Sequence, residues 1–323
     1  MHDVITVGSA VYDVFLLSKQ FQLLRSARFE SGVGECVSLG SKIDVDEKTE
    51  STGGGATNAA VTFARLGFDA AAVCRVGDDV YGGAILADLE RAGVDASFVR
   101  RVRGGETGFS ALLTAENGER SALTYRGVSA DFTKADVPRA ALRAPWFYVT
   151  SLAGNLDVFA KIAKEAAKTG GKIAWNPGGK ELTQGPDAIR PLLTHVAVLM
   201  VNREEAAKLT GERDPAAAWR ALGAGDHLTF IVTDGDKGAY AFRHDGAWFS
   251  GTTGSPSVSR TGAGDAFGSG VTAALMKGLP LPDALQIGTL NAESVIRHVG
   301  AKTGILKAWP SKTARAAVPV KPL

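Results

Sequence analysis

Short apolar runs alternate along this chain with longer stretches of helical period, and that alternation restricts the fold more than any other feature. The runs read DVITVG (3–8), AAAVCRVG (70–77), WFYVTSL (146–152), GKIAWNP (171–177), VAVLMVN (196–202) and LTFIVTDG (228–235). Between them lie TNAAVTFARLG (57–67), GGAILADLERAGV (82–94), LDVFAKIAKEAAKTGG (156–171), REEAAKLTG (203–211), DPAAAWRALGAG (214–225) and DAFGSGVTAALMKG (265–278). Strands apolar on both faces, interleaved with helices of this length, predict an α/β fold with a mostly parallel central sheet covered on both sides. Gly67, Gly93, Gly170, Gly211 and Gly223 stand where left-handed caps end helices. No linker, composition break or repeat divides the sequence, so one domain spanning 1–323 is expected.

Charge and composition remove several classes of function. Lys+Arg number 36 against 34 Asp+Glu, a net charge of +2, which argues against a dedicated nucleic-acid or membrane-surface binder. The opening MHDVITVGSAVYDVF has neither the basic nor the long apolar region of a signal peptide, and no apolar run reaches membrane-spanning length. Two cysteines, Cys36 and Cys74, cannot form a disulfide framework, so a cytoplasmic protein with free thiols is expected. Scattered histidines and the lack of CxxC or HExxH give no zinc site.

What stands out is glycine, 39 of 323 residues, about 12% against a usual share of roughly 7%. Two clusters open helices. In Ser259-Arg260-Thr261-Gly262-Ala263-Gly264-Asp265 the first-turn amides of Gly262, Ala263 and Gly264 make a ready anion site, reinforced by the helix dipole. Asp265 in that turn could take a proton from a substrate hydroxyl, or could simply cap the helix. In Ser51-Thr52-Gly53-Gly54-Gly55-Ala56-Thr57-Asn58 the glycines permit close approach of a polar ligand and Asn58 can both donate and accept. The alternative is a turn with Thr57 or Asn58 as N-cap.

Asp13 follows the first strand, at the edge where ligands of open α/β sheets collect, and could bind sugar hydroxyls or be a solvated loop acid. Asn202-Arg203-Glu204-Glu205 follows another strand; its acids could hold magnesium through water or complement a helix dipole. GAGDAFG is one residue too long for a dinucleotide fingerprint and lies too late in the chain, no P-loop occurs, and TDGDKGAY would put Gly238 at a ligand position of a calcium loop. Residues 31–50 and 105–131 carry period-2 patterns, the second with a hairpin turn at Glu116-Asn117-Gly118-Glu119. Such inserted strands either cover a site or form an idle edge. The tail, 308–323, mixes Pro with basic residues and reads as a surface segment.

In this order the segments resemble the ribokinase-like (PfkB) family of carbohydrate kinases over nearly the whole chain. The GG-x-x-x-N signature appears as Gly53 to Asn58, and GAGD as Gly262 to Asp265, followed by Ala266, Phe267 and Gly270. N-x-x-E is Asn202 with Glu205, T-x-G-x-x-G is Thr233, Gly235 and Gly238, and Asn291-Ala292-Glu293-Ser294 with Gly300-Ala301 matches the adenine-flanking segment. The resemblance implies a three-layer α/β sandwich with a small antiparallel β lid drawn from about 10–18, 31–50 and 105–131, through which a homodimer forms. It implies transfer of the γ-phosphoryl of ATP to a hydroxymethyl group of a ribose- or fructose-like monosaccharide. Asp265 would be the base and Gly262, Ala263 and Gly264 the anion hole. Asp13, Gly54, Gly55 and Asn58 would hold the sugar; Asn202, Thr233, Gly235, Gly238, Arg260 and Asn291 would serve the nucleotide; Glu205 would organise Mg2+. Ser259-Arg260 replaces the D-T pair that helps bind a monovalent cation in several members, which leaves a K+ requirement open. Gly55 and the uncharged Ser151-Leu152-Ala153-Gly154 would also suit a nucleoside kinase of the same fold, and a non-catalytic sugar-binding regulator is a third reading.

Overall fold

The computed structural model describes residues 1–29, 32–115, 120–223 and 225–323. Nine strands form the main sheet in the order Val320–Pro322, Gly246–Ser250, Ala239–Arg243, Thr229–Thr233, Val196–Asn202, Lys172–Trp175, Trp146–Val149, Val4–Val7 and Ala70–Val73. The last six are parallel, and they are the six apolar runs of the sequence. The first three join antiparallel at the opposite edge.

Because side chains alternate along a strand, each parallel strand feeds two cores. Ile5, Val7, Phe147, Val149, Ile173, Trp175, Leu199, Phe230 and Val232 face one side, against helices Leu156–Thr169, Arg203–Thr210 and Pro215–Leu222. Val4, Ala70, Tyr148, Ala174, Val198 and Ile231 face the other, against Gly55–Arg65, Ala263–Met276 and Leu281–Ile296. This is a three-layer α/β sandwich.

The small sheet runs Arg120–Tyr125, Gly108–Thr114, Val11–Leu17, Glu47–Gly53. It is mixed, since Val11–Leu17 runs parallel to Gly108–Thr114 while the other pairs are antiparallel. Of residues 31–50, Val33–Cys36 belongs instead to a two-stranded ribbon with Gln22–Arg25. The turn at 116–119 lies outside the described residues. The tail is mostly exposed but not irregular: it supplies helix Lys312–Ala316 and the edge strand Val320–Pro322.

Helix Leu281–Ile296 has no counterpart among the helical patterns of the sequence. It crosses Ala263–Met276 through two glycines, a Cβ on Gly270 falling 3.1 Å from the Gly288 Cα. On Gly288 a Cβ would stand 2.5 Å from Val271 Cγ2 and 2.8 Å from the Phe267 carbonyl oxygen. The crossing therefore has no room for a methyl group. Gly288→Ala is expected to cost about 1–3 kcal/mol, read as a lower urea midpoint; an unchanged midpoint would contradict the close crossing.

Candidate active site

The carboxyl ends of the parallel strands share one edge of the sheet, and both glycine clusters converge there. After Val4–Val7 the chain turns through Gly8 and Ser9 towards Asp13. Gly54, at φ 98°, lies over that turn: a Cβ there would sit 2.5 Å from the Ser9 carbonyl oxygen, so only glycine fits. Gly54 is the N-cap of helix Gly55–Arg65, which places Thr57 and Asn58 inside the helix, not at its cap. The Thr57 hydroxyl donates back to the Gly53 carbonyl at 2.7 Å. The Gly55 amide donates to the Ser9 hydroxyl oxygen at 3.2 Å, and its Cα side faces Thr150, where a Cβ would come within 2.7 Å of Oγ1. Its smallness serves loop packing. It is Gly53 whose missing side chain makes room for an acid, since a Cβ there would meet Asp13 Oδ2 at 2.3 Å.

Helix Ala263–Met276 starts from Gly262 in the left-handed conformation, φ 82°. A Cβ on Gly262 would lie 2.5 Å from Ala301 Cβ, so the glycine lets the loop sit on residues 300–302. Asp265 makes no capping bond; its Oδ2 accepts from Asn58 Nδ2 at 2.8 Å. One hydrogen bond thus joins the two glycine motifs across 207 residues. Gly264 has open space beside its Cα, whereas the Ala263 amide already donates to the Arg260 carbonyl at 3.3 Å. Asn58 Oδ1, Thr261 Oγ1 and the Tyr148 hydroxyl are buried here with no protein partner, and the first two suit a ligand pocket. Thr261 was not among the residues singled out by sequence.

The electrostatics are dominated by two acids. Asp13, 5% exposed, is pushed up to about 6 by burial, with Asp265 adding to the rise and Ser110 and Lys302 opposing it. Removal from water also raises Asp265, against its bond from Asn58 and the charge of Lys302. Tyr148, buried beneath the glycine helix, is raised well above its usual range by burial and by Asp265.

At the carboxyl end of strand Val196–Asn202, Asn202 and Glu205 form a capping box: the Glu205 amide donates to Asn202 Oδ1 at 2.8 Å and the Asn202 amide to Glu205 Oε2 at 2.8 Å. Burial pushes the Glu205 carboxyl up. Thr233 ends its strand, Gly235 is open at φ 58°, and Gly238 lies on the Ser250 carbonyl, where a Cβ would come within 2.1 Å. Arg203 and Asp234 tie the two loops by an ion pair of 2.6 Å. Arg260 is exposed. Asn291 is a correction. It is fully buried, donates to Ala266 O and Thr62 Oγ1 and accepts from the Leu306 amide, so its side chain is used up inside the protein and is not offered to a nucleotide. Among the described residues no group of three or more His, Cys, Asp or Glu is placed to hold a metal, and no helix is long and apolar enough to cross a membrane.

Comparison with known proteins shows the family and the fold. A profile of the pfkB family of carbohydrate kinases matches residues 1–308. An ATP-dependent ribose-1-phosphate kinase of Halopiger xanaduensis is 31% identical over 240 residues, 71% of this chain and 75% of that one. Among solved structures, the Arabidopsis thaliana ribokinase complexed with ribose and ATP has a TM-score of 0.78 at 20% identity, covering 98% of this chain and 97% of the other. The Burkholderia thailandensis nucleoside kinase in complex with inosine has a TM-score of 0.77 at 18% identity, covering 97% and 96%. The fold is ribokinase-like, and the class is that of ATP-dependent phosphotransferases. The chain belongs to the pfkB family of carbohydrate kinases, as a sugar or nucleoside kinase.

Raised carboxyls become neutral on the acid side, so activity that needs them charged is lost as pH falls. With Asp13 at about 6, kcat/KM is expected to decline below pH about 6. A profile flat between about pH 5 and 7.5 would contradict a site organised on these acids.

Proposed function

We propose that this protein transfers the γ-phosphoryl of ATP to a hydroxymethyl group of a ribose- or fructose-like monosaccharide, with Asp265 as the base. The observation that carries the reading is the 2.8 Å bond from Asn58 to Asp265, which brings both glycine motifs and the buried acid Asp13 to one strand edge.

The residues act as follows. Asp13 and the unpartnered Asn58 Oδ1 accept from acceptor hydroxyls beside the Gly54 backbone. Asp265 takes the proton of the attacking hydroxyl as that oxygen bonds to the γ-phosphorus. The bond from phosphorus to the β,γ-bridging oxygen breaks, and its electron pair leaves with ADP. The amides of Gly262 and Gly264 and the helix dipole receive the developing negative charge. Arg260 adds exposed positive charge near them, and the Thr261 hydroxyl, which has no protein partner, donates to a phosphate. When bound with the nucleotide, magnesium would supply neutralisation of phosphate charge. It needs few protein ligands, and Glu205 Oε1, which the capping box does not use, would hold it through water.

A nucleoside acceptor is the second reading. What favours it is the uncharged loop 151–154, beside which Glu181 is fully buried and turned inward to the Leu152 and Gly154 amides at 2.6 and 2.9 Å. The ratio of kcat/KM for free sugars over nucleosides separates the two.

Asp265→Asn keeps the size and the position of the side chain but cannot take the proton. Turnover is expected to drop by about 10² or more while ATP binding, followed by calorimetry, stays near that of the unmodified chain. Near-normal turnover would remove Asp265 as the base.

A further inference from the structure

Lys302 is the one buried lysine or arginine among the described residues, with 5% of its surface exposed. An isolated buried ammonium costs several kcal/mol, so its surroundings must compensate it. Its Nζ donates to Thr52 Oγ1 at 2.8 Å and to Asp88 Oδ2 at 3.2 Å. Thr52 also donates to Asp88, closing a three-membered cluster. Thr52 lies on the strand Glu47–Gly53 that runs into the first glycine loop, and Asp88 lies on helix Val80–Arg91.

The backbone around Lys302 is equally engaged. Ala301 fills the place left by the missing side chain of Gly262, and Gly300 lies against Ser51. The Lys302 carbonyl accepts from Arg65 Nη1 at 2.8 Å, at the end of the helix that carries Asn58. Three consecutive residues therefore touch the anion-hole loop, the small sheet and the Asn58 helix.

The charged and titratable groups about Lys302 are Asp88, Cys74, Asp13 and Asp265, with Arg65 on the carbonyl side. Asp13 also faces Ser110 and Asp265, and Asp265 faces Asn58 and Tyr148. Two carboxylates share the site, and the buried cation near both is Lys302. Arg91 is mostly exposed and pairs with Asp88 Oδ1 from outside at 3.2 Å.

We propose that Lys302 is a positioning residue for phosphoryl transfer: its buried ammonium clamps Thr52 to Asp88 and sets a fixed positive charge behind the two glycine loops that carry the acids of the site. It touches neither acid directly in the structure, so its effect on the chemistry is electrostatic and geometric. The direction agrees with the shifts of both acids, which Lys302 lowers against burial, and Asp88 holds Lys302 up against its own burial.

The inference rests on the kinase reading, and the test separates the two. Phosphoryl transfer is measured against pH for the unmodified chain, Lys302→Met, Lys302→Arg and the double variant Lys302→Met/Asp88→Asn, which removes the carboxylate that Lys302 bonds directly. The acid limb is expected to move up by about half a pH unit or more in both uncharged variants, with the Arg variant staying near the parent. A folded double variant with an unmoved limb overturns the inference, because a merely structural lysine would lower stability without shifting the limb. Should both uncharged variants fail to fold, the 13Cε titration of Lys302 in the unmodified chain decides. An ammonium persisting above pH about 8 supports the proposal and a neutral amine below it overturns it. An unmodified chain with no transfer activity fails the kinase reading instead.

Discussion

The hydrogen bond between Asn58 and Asp265 is the constraint around which this site is arranged. It can form only if helix Gly55–Arg65 and helix Ala263–Met276 bring their first turns to the same strand edge. Each approach is made by glycine. Gly54 clears the Ser9 carbonyl, Gly262 clears Ala301, and Gly270 with Gly288 draws the second helix onto its neighbour. A methyl group at any of these would push one first turn away from the other. The abundance of glycine in the sequence is therefore partly an account of backbone approaching backbone, and only partly of backbone approaching ligand.

The same geometry concentrates negative charge. Two carboxyls are both raised by burial, and one of them, Asp265, lies in the first turn of a helix whose dipole and amides favour anions. A phosphoryl group brought to that point adds further negative charge, so nearby cations matter more than the near-neutral net charge of +2 suggests. Arg260 is exposed and Lys302 buried. Arg203 is instead taken up by Asp234.

Much of this was legible in the sequence, for physical reasons that can be named. The six parallel strands were visible because each is apolar on both faces. The helix Leu281–Ile296 was not, because its buried face carries Gly288, Thr289, Asn291 and Glu293 in place of a clean apolar stripe. Those residues serve the helix crossing and internal hydrogen bonds, and that same use took Asn291 away from the nucleotide role implied by the family resemblance. The strand Val320–Pro322 is too short to show a period, and its proline is tolerated because the strand is at an edge. Lys302 sits in a stretch that reads as a polar loop; its burial arises from Thr52 and Asp88, more than two hundred residues earlier. Asp265 was visible as a first-turn acid, but its partner could be found only in three dimensions.

The central claim is that these two loops form a working phosphotransfer site and not a binding pocket alone. The most direct measurement is acceptor-dependent ADP release from ATP across pentoses, hexoses, sugar phosphates and nucleosides, run beside equilibrium binding of the same compounds. The account predicts stoichiometric ADP release with at least one furanose-forming sugar, well above the rate without acceptor. Tight binding of such a sugar with no ADP released from any member of the panel would contradict it.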